Sequence, residues 1–280
     1  MNTAAANDAN KRKGVIYGAA IGDALGVPYE FLERDTFKCA NMIGNGSHHK
    51  PAGTFSDDTS MLLATLASVE EHRAICPDDM RERFCDWYYN GAYTADGVVF
   101  GVGRTTAVSL KQGHGLNSER SNGNGSLMRI APLAFIQASD EEICAASAVT
   151  HAHWISTESC VIFVRILREV MNGESLEDAI KANSTHDEPF EFLETLASTP
   201  RKEIGSSGFV LDTLQASLWC ALHTNTFKDC VLEAVNLGED TDTTACVAGA
   251  LAGAMYGFDA IPKEWVDALR GKLVIESYLF

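Results

Sequence analysis

Two segments with glycine at every fourth position limit most severely how this chain can fold. "GAAIGDALG" puts Gly18, Gly22 and Gly26 on one helical face, and "AGALAGAMYG" does the same with Gly249, Gly253 and Gly257, with Ala245 one turn earlier. An interior helical glycine costs up to about 1 kcal/mol relative to alanine. Three on one face are tolerated where the missing side chains let another backbone approach. The spacing therefore predicts two small-faced helices packed together at the centre, which would draw both ends of the chain to one site. The competing reading is that these glycines only end short helices.

Elsewhere the apolar pattern is also helical. Met61, Leu62, Thr65, Leu66 and Val69 share a face, as do Val210, Leu211, Leu214, Leu218 and Leu222. Ile162, Arg165, Ile166, Glu169 and Val170 mark a third long helix. Convincing alternating strands are absent, so the expected fold is all-α, a single compact multi-helix domain over residues 14–280. Residues 1–13, small and polar with a short basic cluster, read as a flexible tail. That tail lacks the apolar stretch of a secretory signal, and no apolar run is long enough to span a bilayer. A cytoplasmic protein without membrane partners is expected. The eight cysteines show no CxxC pair and read as buried reduced thiols. A formal net charge of −16 argues against nucleic acid as a partner. It leaves room for a polyphosphate if metal ions or backbone amides supply positive potential.

The chemistry concentrates in two acidic stretches. "FSDDTS" sets Asp57 and Asp58 side by side just before an apolar helix, and "GEDTDTT" sets Asp240 and Asp242 among Thr241, Thr243 and Thr244 before another. One acidic or hydroxyl side chain suffices to cap a helix, so Ser56 or Asp57 could be only a cap. Both stretches, however, carry more such groups than a cap uses. If the two helix starts meet, the carboxylates repel unless a cation joins them. Carboxylates with Ser or Thr hydroxyls form hard oxygen sites suited to Mg²⁺, Mn²⁺ or Ca²⁺ rather than zinc. Adjacent aspartates could serve two ions. No "GxSxG" and no dinucleotide fingerprint is present, which sets aside a serine hydrolase and a nicotinamide enzyme.

"GAAIGDALGVPYEF", "FSDDTSMLLATL", "GNGSLMRIAPLA", "THAHW", "SSGFVLDTLQASLWCAL" and "NLGEDTDTTACVAGALAGAMYG" occur in the order of the ADP-ribosylglycohydrolase family, which the chain resembles from about residue 14 to 260. The resemblance implies an all-α fold with a binuclear Mg²⁺ or Mn²⁺ centre at the base of a cleft. Its ligands would be Ser56, Asp57, Asp58, Asp240, Asp242 and Thr243, with Glu30 at or beside the metals. It also implies ADP-ribose contacts from Ser121, Asn122, Gly123, Asn124 and Met128, and from His151 on the substrate side. The implied reaction is hydrolysis of the N-glycosidic bond between ADP-ribose and a protein side chain, arginine first, with Glu30, Asp58 and Asp242 as catalytic candidates. The substrate partner is then an ADP-ribosylated protein. The alternative is an immunity protein that blocks an ADP-ribosylating toxin, its ADP-ribosyltransferase partner, by occlusion. The sequence departs from the family pattern in two places. Glu239 stands where many members have glycine, and "GVGRTT" replaces a "DIGNTT"-like stretch, so that Gly101 takes an acidic position and Arg104 a neutral one.

Overall fold

The computed structural model describes residues 3–279, and the elements it forms there are helices and turns, with no strand. Three isolated backbone bridges, Asn45–Lys50, Leu116–His151 and Gly123–Phe209, are the only ladder-like pairings among the described residues. The long helices are α1 (Thr3–Gly26), α2 (Asp57–His72), α3 (Pro77–Asn90) and α4 (Arg104–Gln112). They are followed by α5 (Asp140–Ala148), α6 (Trp154–Asn172) and α7 (Leu176–Ala182). After the single turn α8 (Phe192–Thr195) come α9 (Val210–His223), α10 (Phe227–Asn236) and α11 (Thr241–Tyr256). Short α12 (Lys263–Ala268) and α13 (Lys272–Glu276) close the chain. No helix among the described residues is long and apolar enough to cross a membrane.

The apolar faces read from the sequence are buried. Met61, Leu62, Leu66 and Val69 of α2, and Val210, Leu214 and Leu218 of α9, lie in one continuous core with Ile162, Ile166 and Val170 of α6. The most extensive helix pair is α1 against α11, the two glycine-spaced segments. Their backbones touch. A Cβ added at Gly18 would lie 2.2 Å from the Gly249 carbonyl oxygen, and one at Gly22 1.9 Å from that of Ala245. In the other direction, a Cβ at Gly253 would lie 2.0 Å from the Gly14 carbonyl oxygen. The glycines are therefore a packing surface, and only Gly26 and Gly257 also stand at a helix end.

The tail expected over residues 1–13 is corrected from residue 3 onward. Those residues form the first turns of α1, and the basic cluster that suggested solvent exposure is used for docking. Lys11 Nζ donates to the carbonyls of Val170 and Met171 at the end of α6, and Arg12 pairs with Glu70 on α2. Residues 1 and 2 lie outside the described residues. Five cysteines (39, 160, 220, 230 and 246) are buried as expected, whereas Cys76, Cys85 and Cys144 are half-buried; all eight are free thiols.

The glycine contact makes a prediction that opposes helix propensity. Propensity alone says that Gly22→Ala stabilises α1 by about 1 kcal/mol. The Ala245 carbonyl leaves no room for the methyl, so we expect a loss of about 1–3 kcal/mol in a denaturant melt. A variant as stable as the parent would show that the contact is looser than described.

Candidate active site

The two acidic stretches meet, and α1 joins them. Asp23, on the glycine-bearing segment of α1, accepts hydrogen bonds from the Ser56 amide on both oxygens at 2.9 and 3.0 Å. It also accepts from the Thr59 amide at 3.0 Å and the Thr59 hydroxyl at 2.6 Å. A carboxylate from another helix thereby satisfies the free amides at the start of α2 and fixes where that start lies. One turn later Gly26 abuts the second stretch: an added Cβ would lie 2.4 Å from the Asp242 backbone. The Thr241 hydroxyl donates to the Gly26 carbonyl at 2.8 Å. Carboxylate oxygens of Asp23, Asp58 and Asp242 consequently lie within 4.8 Å of one another, and so do the ligating atoms of Glu30, His48 and Asp242.

Helix-start amides account for only part of these groups; beside Ser56, Asp242 Oδ1 accepts from the Thr243 amide at 3.0 Å. Ser56 is the N-cap of α2; its Oγ accepts from the Asp58 amide at 3.3 Å and donates to Asp58 Oδ2 at 2.9 Å. Asp240 stands at the N-cap of α11, yet its side chain makes no capping bond. Its Oδ2 accepts instead from Asn124 Nδ2 at 2.9 Å, and its amide donates to the Ser206 carbonyl at 3.0 Å. Arg34 holds the loops on either side. It donates to the carbonyls of Leu237, Arg201 and Ile204 at 2.7, 3.0 and 2.5 Å, and to Ser206 Oγ at 3.2 Å.

Burial of these acids is electrostatically expensive. Desolvation pushes Asp57, Asp58 and Asp242 well above the usual carboxylate range, and their mutual repulsion with Asp23, Glu30 and Asp240 pushes further. Burial also lifts Asp23 to about 6, against the pull of its four hydrogen bonds. Glu30 has a side-chain partner in His48 Nε2. Asp58 Oδ1 and Asp240 Oδ1 are buried with no hydrogen-bond partner among the described residues. Orphaned buried carboxylate oxygens are rare in folded proteins and are expected where an ion binds. The carboxylates of Asp23, Asp58 and Asp242 supply oxygen donors that fit a hard divalent cation.

Over this acidic floor lies a cleft of about 280 Å³. Of the residues expected at the site, Glu30, Asp57, Asp58, Asp240, Asp242 and Thr243 line it, and so do Gly123, Asn124, Met128 and His151. Ser56 lies just beneath, bonded to Asp58. Ser121 and Asn122 do not line it. Ser121 is buried against Ser118 Oγ at 2.7 Å, and Asn122 ties Ser156 Oγ to the Glu119 carbonyl. Their side chains turn into the loop and away from the cleft. Gly101 faces Asp57: its φ is +80°, and an added Cβ would lie 2.3 Å from Asp57 Oδ1. Arg104 and Arg120 also border the cleft, and neither forms an ion pair among the described residues.

Sequence reasoning missed Asp23, His48 and Arg120. Asp23 had a readable signal, a lone carboxylate on a face of glycines and alanines that must be buried. His48 and Arg120 sit in polar loops whose composition carries no such signal.

The model of the family described as ADP-ribosylglycohydrolase matches residues 4–279. The chain is 36% identical over 278 residues to the ADP-ribosylarginine hydrolase Tri1 of Serratia proteamaculans (strain 568), covering 93% of this chain and 75% of that protein. It is 32% identical to the ADP-ribosyl-[dinitrogen reductase] glycohydrolase of Rhodospirillum rubrum, covering 93% of this chain and 90% of that one. Among solved structures, an ADP-ribosylglycohydrolase-related protein complex superposes with a TM-score of 0.81 at 30% identity, over 98% of this chain and 97% of that chain. The chain belongs to the ADP-ribosylglycohydrolase family and is an enzyme of that class.

Proposed function

We propose that this enzyme hydrolyses the N-glycosidic bond joining ADP-ribose to arginine side chains of modified proteins, with two divalent cations, Mg²⁺ or Mn²⁺, held by Ser56, Asp57, Asp58, Asp240, Asp242 and Thr243. The observation that carries this reading is a cleft with two opposed electrical ends. Unsatisfied carboxylate oxygens of Asp58 and Asp240 lie at its floor, and the unpaired guanidinium groups of Arg104 and Arg120 lie at its edge. A diphosphate fits the basic edge, and a ribose with its adjacent hydroxyls fits the acidic, ion-requiring floor. Resemblance to an ADP-ribosylarginine hydrolase over most of the chain supports arginine as the linked residue.

When bound, such ions supply Lewis acidity that orients ribose oxygens and acidifies a water. The chain's own residues do the rest. As the C–N bond breaks, positive charge grows on the anomeric carbon, and the carboxylates of Asp58 and Asp242 stabilise it. The water oxygen bonds to that carbon and gives up a proton to a carboxylate of the cleft, while the departing guanidine nitrogen receives one. We assign that proton transfer to Glu30, which lines the cleft with the aspartates and whose carboxylate is bonded to His48 Nε2. Gly101 presents only backbone to Asp57, which keeps that carboxylate accessible from the cleft.

Three outcomes test this reading. Purified enzyme incubated with Mg²⁺ or Mn²⁺ should free ADP-ribose from an ADP-ribosylated arginine peptide and lose that activity in chelator; equal release in chelator refutes the role of the ions. Asp58→Asn or Asp242→Asn should lower the rate at least about 100-fold, with the helical signal intact. The raised acids give the third. A folded-state pKa above the unfolded value contributes stability at low pH that is lost as pH rises through the folded pKa. In chelator, the melting temperature should therefore fall above the ordinary carboxylate pKa of about 4 and continue falling past about 6, the value for Asp23. Added Mn²⁺ should raise it, more at pH 8 than at pH 5. A gap between the two forms that does not widen with pH would show that these acids are not the ion's ligands.

A further inference from the structure

A line of buried polar groups ends in the cleft at His151. Arg129 is fully buried, and its guanidinium stacks 4.4 Å from the Phe84 ring with no carboxylate against it. Arg129 Nη2 donates to the Ala146 carbonyl at 3.1 Å and to the Thr150 hydroxyl at 2.9 Å. Thr150 Oγ1 in turn lies 2.9 Å from His151 Nδ1. A guanidinium can only donate, so the Thr150 oxygen accepts from Arg129 and its own single proton needs an acceptor. The acceptor within reach is His151 Nδ1. Were Nδ1 protonated instead, the buried hydroxyl would hold two incoming bonds and leave its proton stranded, at a cost of about 1–3 kcal/mol.

We propose that Arg129 and Thr150 are positioning residues that lock His151 as the neutral Nε2–H tautomer, a fixed donor to an acceptor oxygen of the ADP-ribose diphosphate or ribose. Burial and the nearby Arg129 charge both push His151 down, to about 3, which keeps the ring neutral. His151 Nε2 makes no hydrogen bond among the described residues. It faces the glycine loop, where a Cβ at Gly123 would lie 3.7 Å from it and one at Gly125 3.3 Å. Side chains there would cover the nitrogen, so the two glycines keep it open to the cleft. The buried cation polarises the line of donors toward the ligand and adds positive potential to the cleft that Arg104 and Arg120 also line. The ligand's identity rests on the function proposed above; the tautomer does not.

The experiment therefore separates the two. Long-range ¹H–¹⁵N correlation spectra of the ligand-free enzyme, with His151 assigned from its absence in His151→Gln, should show Nε2 protonated and Nδ1 bare. Thr150→Val should shift that signature, and Thr150→Ser, which keeps the hydroxyl, should restore it. Calorimetric titration with ADP-ribose and with ADP, in Mg²⁺, should show affinity about tenfold weaker for Thr150→Val and near parental for Thr150→Ser. Weakening of both ligands places the acceptor on the ADP portion, and weakening of ADP-ribose alone places it on the distal ribose. A protonated Nδ1 in the parent, or full affinity in Thr150→Val, overturns the relay. A parent with the Nε2–H signature that binds neither ligand overturns the ligand assignment and, with it, the proposed function.

Discussion

The site depends on one contact: the bare backbone of α1 against the bare backbone of α11. With no side chains between Gly18 and Gly249 or between Gly22 and Ala245, the two helices have no soft layer through which to slide or separate. The α1 end of that rigid pair carries Asp23, which fixes the start of α2, and Gly26, which abuts the start of α11. A single helix thus sets the distance between two acidic stretches far apart in sequence. Carboxylates left on flexible loops would move apart and remain hydrated. Here they cannot, and the surrounding core holds their repulsion in place.

The same geometry separates the cleft into zones of opposite character. The floor gathers carboxylates whose charged neighbours are one another. Arg104 and Arg120 at the edge, with Arg129 behind His151, provide positive potential in a chain whose formal net charge is −16. Such a field disfavours indiscriminate binding of polyanions over the surface as a whole. An anionic ligand finds its attraction local to the cleft, where low-dielectric walls strengthen it. Arg34, by contrast, has turned all its bonds inward, to carbonyls and a hydroxyl of the loops that present Asp240, and serves geometry alone.

The central helix pair and the acidic floor were readable because each is written in a local pattern: glycine at helical spacing, and more acid than a cap uses. What escaped was written in tertiary contacts. Asp23 looks like one polar residue in a small apolar run, and only the fold shows that it reaches the α2 amides. Ser121 and Asn122 share a loop with true cleft residues, but their side chains turn inward, and loop sequence does not encode the turn. Residues 3–13 have a tail's composition; contacts of Lys11 and Arg12 with distant helices make them part of α1. Asp57 and Asp58 show the middle case. Helix spacing places them side by side, whereas their partners come from α1 and α11.

The departures at positions 101 and 104 now have a physical meaning. Relative to the "DIGNTT"-like pattern, "GVGRTT" removes an acid and adds a base at the start of α4. Position 101 lies directly against Asp57, so a side chain there would press on that carboxylate, and an acid would add to the repulsion already confined beneath it. Glycine removes that charge and frees the approach to Asp57. Arg104, exposed and unpaired at the cleft edge, then places a cation where a neutral group would stand. Together these changes make the entrance less acidic while leaving the buried carboxylates unchanged. At such an entrance an acidic surface is attracted and a basic one repelled.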